Sequence, residues 1–127
     1  ERNNIFRLVN DINASNMEYH QRDLVEVNFL MPDGTMKPHL SVLISNDELQ
    51  ENDDGTIYLV LITSKRYTDY VFPITDEMFM SFKFDKQSYI ACHIISGYKT
   101  SNIVRKCGRM KLEPFNEMVD RVIEAIF

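Results

Sequence analysis

Hydrophobic and polar positions change period several times along the chain, and each change marks an element. Ile5, Leu8, Val9 and Ile12 recur at helical spacing, which predicts a short amphipathic helix over residues 3–13, ended by the polar run Asn13-Ala14-Ser15-Asn16. The pattern then shortens to strands. Leu24 to Leu30 reads as a strand with Val25, Val27 and Phe29 on one face. Met31-Pro32-Asp33-Gly34-Thr35 follows as a turn, because proline presets φ at the first corner and glycine accepts positive φ. Two strongly apolar, β-branched runs predict strands at about 39–45 and 56–64, joined by an acidic loop over 46–55. Tyr70 to Ile74 is a shorter strand that Pro73 confines to an edge or a terminus. Ser88 to Ile95 and Ile103 to Met110 predict two more strands, separated by a loop centred on Gly97. Met78, Phe79, Met80, Phe82 and Phe84 form an apolar cluster whose spacing fits neither helix nor strand firmly; as core or dimer-interface filler it is better explained than as a cofactor pocket.

The chain ends in its clearest helix. Phe115, Met118, Val119, Val122, Ile123 and Ile126 lie on one stripe, with Pro114 near the first turn, where a missing N–H costs nothing. Several short strands closed by one helix predict a mainly β fold with helices, built as a small SH3-like barrel.

Bulk properties narrow the function classes. At 127 residues and 44% hydrophobic, the chain is expected to form one domain around one core. No apolar run reaches the roughly 18 residues that a membrane helix needs, so no membrane partner is expected. No basic-then-apolar leader is visible at Glu1, so no signal peptide is expected and a cytoplasmic location is. Cys92 and Cys107 lack paired metal-ligand spacing and read as two buried free thiols, a structural disulfide being the weaker alternative. The triplet Asn13-Ala14-Ser15 matches a glycosylation sequon, a pattern frequent by chance. His20, His39 and His93 are too scattered to suggest a metal site, no cofactor motif is present, and Asp53-Asp54-Gly55 reads as a turn.

The net charge of −5 argues against wholesale nucleic-acid binding, but its distribution qualifies that. Residues 46–54 carry five acids and no base, whereas residues 86–112 carry six bases and no acid. The second stretch is either an uneven solvated surface or a face turned towards an anion.

Two features carry chemistry. Leu40-Ser41-Val42-Leu43-Ile44-Ser45, preceded by Lys37-Pro38-His39, and Ile57 to Ser64 both end in small hydroxyl residues, and Gly108-Arg109 precedes the closing helix. Strands that stop in a hydroxyl cluster commonly hold reactive groups at the rim of a sheet. This order resembles the MazF/PemK family of toxin endoribonucleases, whose pattern runs approximately K-x-R-P-x-x-V-I-S-N-D … V-x-P-I-T-S. The resemblance covers roughly Gln21 to Phe127, leaving residues 1–20 as an N-terminal helical extension to a barrel domain at 21–127 of the MazF/PemK/CcdB type.

The resemblance implies a homodimer that cleaves single-stranded RNA without a metal or other cofactor, through attack of the 2′-hydroxyl on the adjacent phosphate, and that is inhibited by a cognate antitoxin. Such chemistry needs a group to accept the 2′ proton, one to protonate the leaving oxygen, and donors for the phosphorane charge. The family's strand-end hydroxyl falls on Thr63, and Lys37, Ser45, Asn46, Asp47 and Gly108-Arg109 also fit. The family's Arg-Pro falls on His39-Leu40, and its Gln-Ile-Arg on His93-Ile94-Ile95, so both arginines are replaced.

An imidazole titrates near neutrality, which makes His39, with His93, a candidate acid–base pair. Thr63, Ser64 and Lys65 would then hold the phosphate, with Lys37, Arg66, Lys99 and Arg105 as further RNA contacts. The plainer alternative is that catalysis was lost with the arginines. A module of the same fold would then remain, either inactive or acting on a protein target as CcdB toxins act on gyrase.

Overall fold

The computed structural model describes residues 17–30, 33–66 and 68–127. The helix expected over 3–13, the sequon and the Met31-Pro32 corner lie outside the described residues. Seven strands form one antiparallel sheet: β1 Asp23–Leu30, β2 Met36–Leu43, β3 Thr56–Thr63, β4 Val71–Ile74, β5 Phe79–Met80, β6 Ser88–Lys99 and β7 Ile103–Met110. Their order is β4-β6-β3-β2-β1-β7-β5, so the sheet stays open at β4 and β5 rather than closing into a full barrel. The C-terminal helix Leu112–Ile126 follows β7, and Pro114 stands in its first turn.

Strand alternation places apolar residues on both faces of the central strands. Leu24, Val42, Val60, Ile62, Phe72 and Ile90 join Phe115, Met118 and Val122 of the C-terminal helix in one core. Val25, Val27, Leu43, Ile57 and Leu59 form a second core on the other face, with Tyr19, Phe29, Tyr98 and Ile103 packed around it.

Three local structures depart from the pattern-based expectation. The acidic segment is a short helix, Asp47–Asn52, rather than a loop, because the Asn46 side chain accepts the Leu49 N–H at 2.8 Å and Asp47 and Glu48 occupy the first turn. The segment around Gly97 is strand: β6 runs on to Lys99, and Gly97 pairs with Tyr58. A Cβ on Gly97 would meet the Tyr58 ring at 3.2 Å, so glycine here makes room for a ring instead of turning the chain. The Met/Phe cluster splits, Phe79 and Met80 forming β5 against β7 while Phe79, Phe82 and Phe84 stack edge to face. Phe79, Phe115, Met118 and Val122 are therefore buried in the chain's own core, leaving Met80, Leu112, Ile123, Ile126 and Phe127 as the exposed apolar groups of this region.

Bulges shape β7. Lys106 pairs with Val25 and Gly108 with Leu24, so Cys107 is the extra residue. Gly108 has no room for a side chain, since a Cβ would lie 2.4 Å from the Met80 carbonyl oxygen. Cys92 and Cys107 are both free thiols.

A buried carboxylate ties β1 to β7. Asp23 is fully buried; its Oδ2 accepts the His20 N–H at 2.8 Å and lies 3.3 Å from Lys106 Nζ. Its Oδ1 faces Arg109 Nε at 3.8 Å, an ion pair too long for a hydrogen bond. His20 in turn reaches the Asp47 carboxylate through Nδ1 at 2.9 Å, linking this node to the acidic helix.

Removing the carboxylate in Asp23→Ala strands the His20 N–H and two cations; because both cations are partly solvated, the expected loss is about 2–4 kcal/mol, read from urea unfolding. Gly108→Ala is expected to separate β5 from β7 and to be destabilising by a comparable amount, whereas Gly34→Ala, with open space around it, costs only the strain of its positive φ.

Alkali is expected to weaken the fold. Burial raises the Tyr19 and Tyr98 phenols above their ordinary value, and the hydrogen bond from Tyr58 to Asp53 raises that of Tyr58. A group whose value is raised on folding favours the folded state while protonated, so its contribution is present below about pH 10 and lost as pH rises beyond it. Unfolding free energy measured across this range should fall, and Tyr58→Phe should flatten part of the slope.

Candidate functional site

β2 and β3 pair only from Ser41–Leu61 to Leu43–Leu59. Beyond Ser41, β2 continues along β1, with His39 opposite Val27 and Lys37 opposite Phe29. Beyond Leu61, β3 continues along β6, with Ile62 opposite Ile90 and Thr63 opposite Tyr89. His39 stands two residues before the last pair and Thr63 two residues after it. Both therefore sit past the last shared pair, on arms of the hairpin that diverge between them, and on the face away from the C-terminal helix.

The neighbours of the fork are polar or cationic. Lys37 is exposed on the same arm and face as His39, and Ser64, Lys65 and Arg66 are exposed immediately past Thr63. The Thr63 hydroxyl oxygen accepts the Lys65 N–H at 3.2 Å, a bond that leaves the hydroxyl's own proton to donate elsewhere. Ser41, at the fork itself, is fully buried, and its hydroxyl has no hydrogen-bond partner among the described residues.

His39 is half-buried and held by rings. Its imidazole meets Phe29 edge to face at 5.5 Å and 86°, and Phe29 meets Tyr98 at 5.2 Å and 73°. Neither Phe29 nor Tyr98 was singled out from sequence, where Phe29 read as one more apolar residue on a strand face. The only signal was its register opposite Lys37 and diagonal to His39, which needs the hairpin pairing to be known.

His93 occupies a bend. Ile90 pairs with Ile62 and Ile95 with Val60, so residues 91–94 of β6 all lie opposite Leu61. This bend lets β6 pair with β4 on one side and β3 on the other. The His93 ring tilts against Tyr70 at 5.3 Å and 47°. Tyr70 also lines a cavity of about 210 Å³ between β4 and the C-terminal helix, with Val71, Cys92 and Arg121 in its wall.

Two candidates fall elsewhere. Lys99 pairs with Thr56, at the other end of β3 from Thr63, roughly 23 Å away at about 3.3 Å per residue. Its ammonium donates to the Asp54 carbonyl at 3.0 Å and lies 3.7 Å from the Asp54 carboxylate. Arg105 pairs with Glu26 and lies 3.5 Å from its carboxylate, on the opposite face from His39. With Lys106 and Arg109 on Asp23, four of the six bases in the acid-free stretch face acids of the same chain. Its positive charge is thus largely absorbed internally.

The acidic helix joins the C-terminal end of β2 to the N-terminal end of β3, opposite the end that carries His39 and Thr63. Among the described residues, no cluster of three or more His, Cys, Asp or Glu side chains is placed to hold a metal, and no helix is long and apolar enough to cross a membrane.

Residues 20–127 match the family model described as PemK-like, MazF-like toxin of type II toxin–antitoxin system. No match is found among curated proteins. Among solved structures, a MazE–MazF complex from Deinococcus radiodurans (Form-III) aligns with TM-score 0.66 at 9% identity, covering 87% of this chain and 100% of that one. MazF (Form-I) from the same organism aligns with TM-score 0.64 at 9% identity, over 84% and 94% of the two chains. The toxin MazF-mt6 of Mycobacterium tuberculosis aligns with TM-score 0.57 at 15% identity, over 83% and 92%.

Burial pushes both thiols above the ordinary thiol range. Alkylation of the native protein near neutral pH, followed by mass spectrometry, should therefore be slow at both, with half-buried Cys107 reacting before fully buried Cys92.

Proposed function

The chain belongs to the family of PemK-like, MazF-like toxins of type II toxin–antitoxin systems, and from that premise we propose that it is an endoribonuclease toxin acting on single-stranded RNA. The reaction is 2′-hydroxyl attack on the adjacent phosphate, giving a cyclic phosphate and a 5′-hydroxyl, with no metal required. His39 and His93 serve as the acid–base pair, one taking the 2′ proton while the other returns a proton to the leaving oxygen. Thr63, Ser64 and Lys65 donate to the phosphorane oxygens, and Lys37 and Arg66 meet flanking phosphates.

The observation that carries this reading is the fork, where His39 and Thr63 each stand two residues beyond the last β2–β3 pair, on arms that separate between them. A cognate antitoxin as partner is supported by two similar structures, one a MazE–MazF complex and the other an endoribonuclease in complex with its cognate antitoxin. A homodimer is supported by the exposed Met80, Leu112, Ile123, Ile126 and Phe127. A cytoplasmic location goes with this reading.

A second reading is a binding module of the same fold, inactive on RNA or directed at a protein as CcdB-like toxins are. It is favoured by the replacement of both family arginines, at His39 and Ile95, and by the commitment of Lys99, Arg105, Lys106 and Arg109 to internal acids.

Incubation with a mixed RNA pool in EDTA, with sequencing of the new ends, separates the two. His39→Ala is expected to lower cleavage by roughly 10²–10⁴-fold with little change in RNA binding. Thr63→Ala should cost less, about 10²–10³-fold, if it supplies one donor to the phosphorane. His39→Arg, which restores the family residue and with it charge stabilisation in place of proton transfer, should retain or even raise activity and remove the limb due to His39 from the pH–rate curve. A parent protein without cleavage, together with silent mutants, would establish the module instead.

Charge placement and assembly give two further checks. Asp53→Asn with Asp54→Asn should leave RNA affinity at 0.15 M salt within about twofold, because those acids lie beyond the far end of β3 from Thr63, more than a Debye length of about 8 Å from it. Light scattering at micromolar concentration should report a dimer, and a monomer would remove the assembly from this proposal.

A further inference from the structure

Residues 36–38 of β2 are exposed, and β3 has already parted from β2 where His39 stands. On such an arm an imidazole has few neighbours to choose its rotamer. Beside its strand partner Val27, it meets the first of a row of rings: Tyr98 on β6 packs against Phe29 on β1, and Phe29 against His39 on β2. Tyr98 is anchored from below, because it pairs with Ile57 and packs with Phe29 on the buried core of Val25, Val27, Leu43, Ile57 and Leu59. The row spans from the core to the fork.

We propose that Phe29 is a positioning residue for His39, fixing the imidazole through an edge-to-face contact that Tyr98 braces from behind. The kinetic part of this inference rests on His39 acting at the fork; the ring contact itself does not. Edge-to-face pairs are directional, since the positive rim of one ring meets the negative face of the other, and so they select an orientation as well as filling space. A proton-transfer group needs that orientation, because misplacement of about 1 Å can cost on the order of 10²-fold in rate. An arginine at position 39 would sweep its charge across a longer reach and would not need this brace in the same way.

Two measurements on the full chain test it. In proton–carbon NMR spectra, the His39 ring signals, assigned by their loss in His39→Ala, should be displaced by ring current in the parent. They should move and broaden in Phe29→Leu and stay in place in Phe29→Tyr. In RNA cleavage, Phe29→Leu should lower kcat by about 10- to 100-fold with KM within about twofold, and Phe29→Tyr should restore it. In the His39→Ala background Phe29→Leu should cost nothing further.

Unchanged imidazole signals in Phe29→Leu overturn the inference whatever the activity. So does a kcat loss that is equal in the presence and absence of His39, because Phe29 would then act on something else. Shifted signals in a protein that cleaves no RNA support the brace and defeat the functional reading instead. Thermal melting of Phe29→Tyr and Phe29→Leu guards against unfolding, and the ring-retaining variant keeps the test valid if the leucine variant fails to fold.

Discussion

β2 and β3 share three residue pairs and then separate, each drawn away by its other neighbour. β2 stays with β1 through seven consecutive pairs, from Leu24–Val42 to Leu30–Met36. β3 stays with β6, but only by a three-residue change of register, because β6 must also carry β4 on its far side. The separation follows from these competing ladders, and the fork that holds His39 and Thr63 follows from the separation. One mark of the conflict remains at Ser41, whose hydroxyl is buried at the parting point without a hydrogen-bond partner among the described residues, an arrangement that ordinarily costs about 1–3 kcal/mol. The two cores on opposite faces supply the burial that holds such a sheet in place.

Electrostatics divide the molecule in the same direction. Asp23, Glu26 and Asp54 take up Lys106 with Arg109, Arg105, and Lys99 respectively. Among the described residues, what remains unclaimed near the fork is Lys37 with Lys65 and Arg66, a small number of cations on a chain of net charge −5. Polyanion affinity scales with the phosphates neutralised, so the proposed RNA binding rests on a few local contacts and on the shape of the fork rather than on a broad basic face.

Much of the architecture was legible in the sequence because period 2 and period 3.6 are visible in a single chain. The strands and the C-terminal helix stripe came from such patterns, and the family from the motif order around residues 37–65. What was not legible depended on pairing between distant segments. Gly97 looks like a turn until Tyr58 is known to lie across it. The six-residue acidic helix lacks an apolar stripe, and only its Asn46 cap announced it. The acid-free stretch from 86 to 112 looked like an anion-facing surface because its partners Asp23, Glu26 and Asp54 lie 45 or more positions away in sequence. Of the candidate site, the fork residues were reachable by motif, whereas the ring row behind His39 needed the β1–β2 and β1–β6 proximities together.

Identity of 9–15% with structures that nonetheless overlay most of the chain says which constraints the fold enforces. Backbone register fixes where position 39 stands; it does not fix what stands there. A guanidinium at that position is always charged and holds no lone pair for a proton, so its contribution is limited to positioning and charge. An imidazole can be neutral and can accept a proton, but it loses the long bidentate reach towards phosphate. Under the proposed function, replacing one by the other moves the site from charge stabilisation towards proton transfer, and makes its geometry more demanding, since a proton must pass along a line whereas a charge acts over distance. A ring row that leads from the buried core to the imidazole is the kind of support that this exchange requires, and it is built from residues that strand pairing had already brought together.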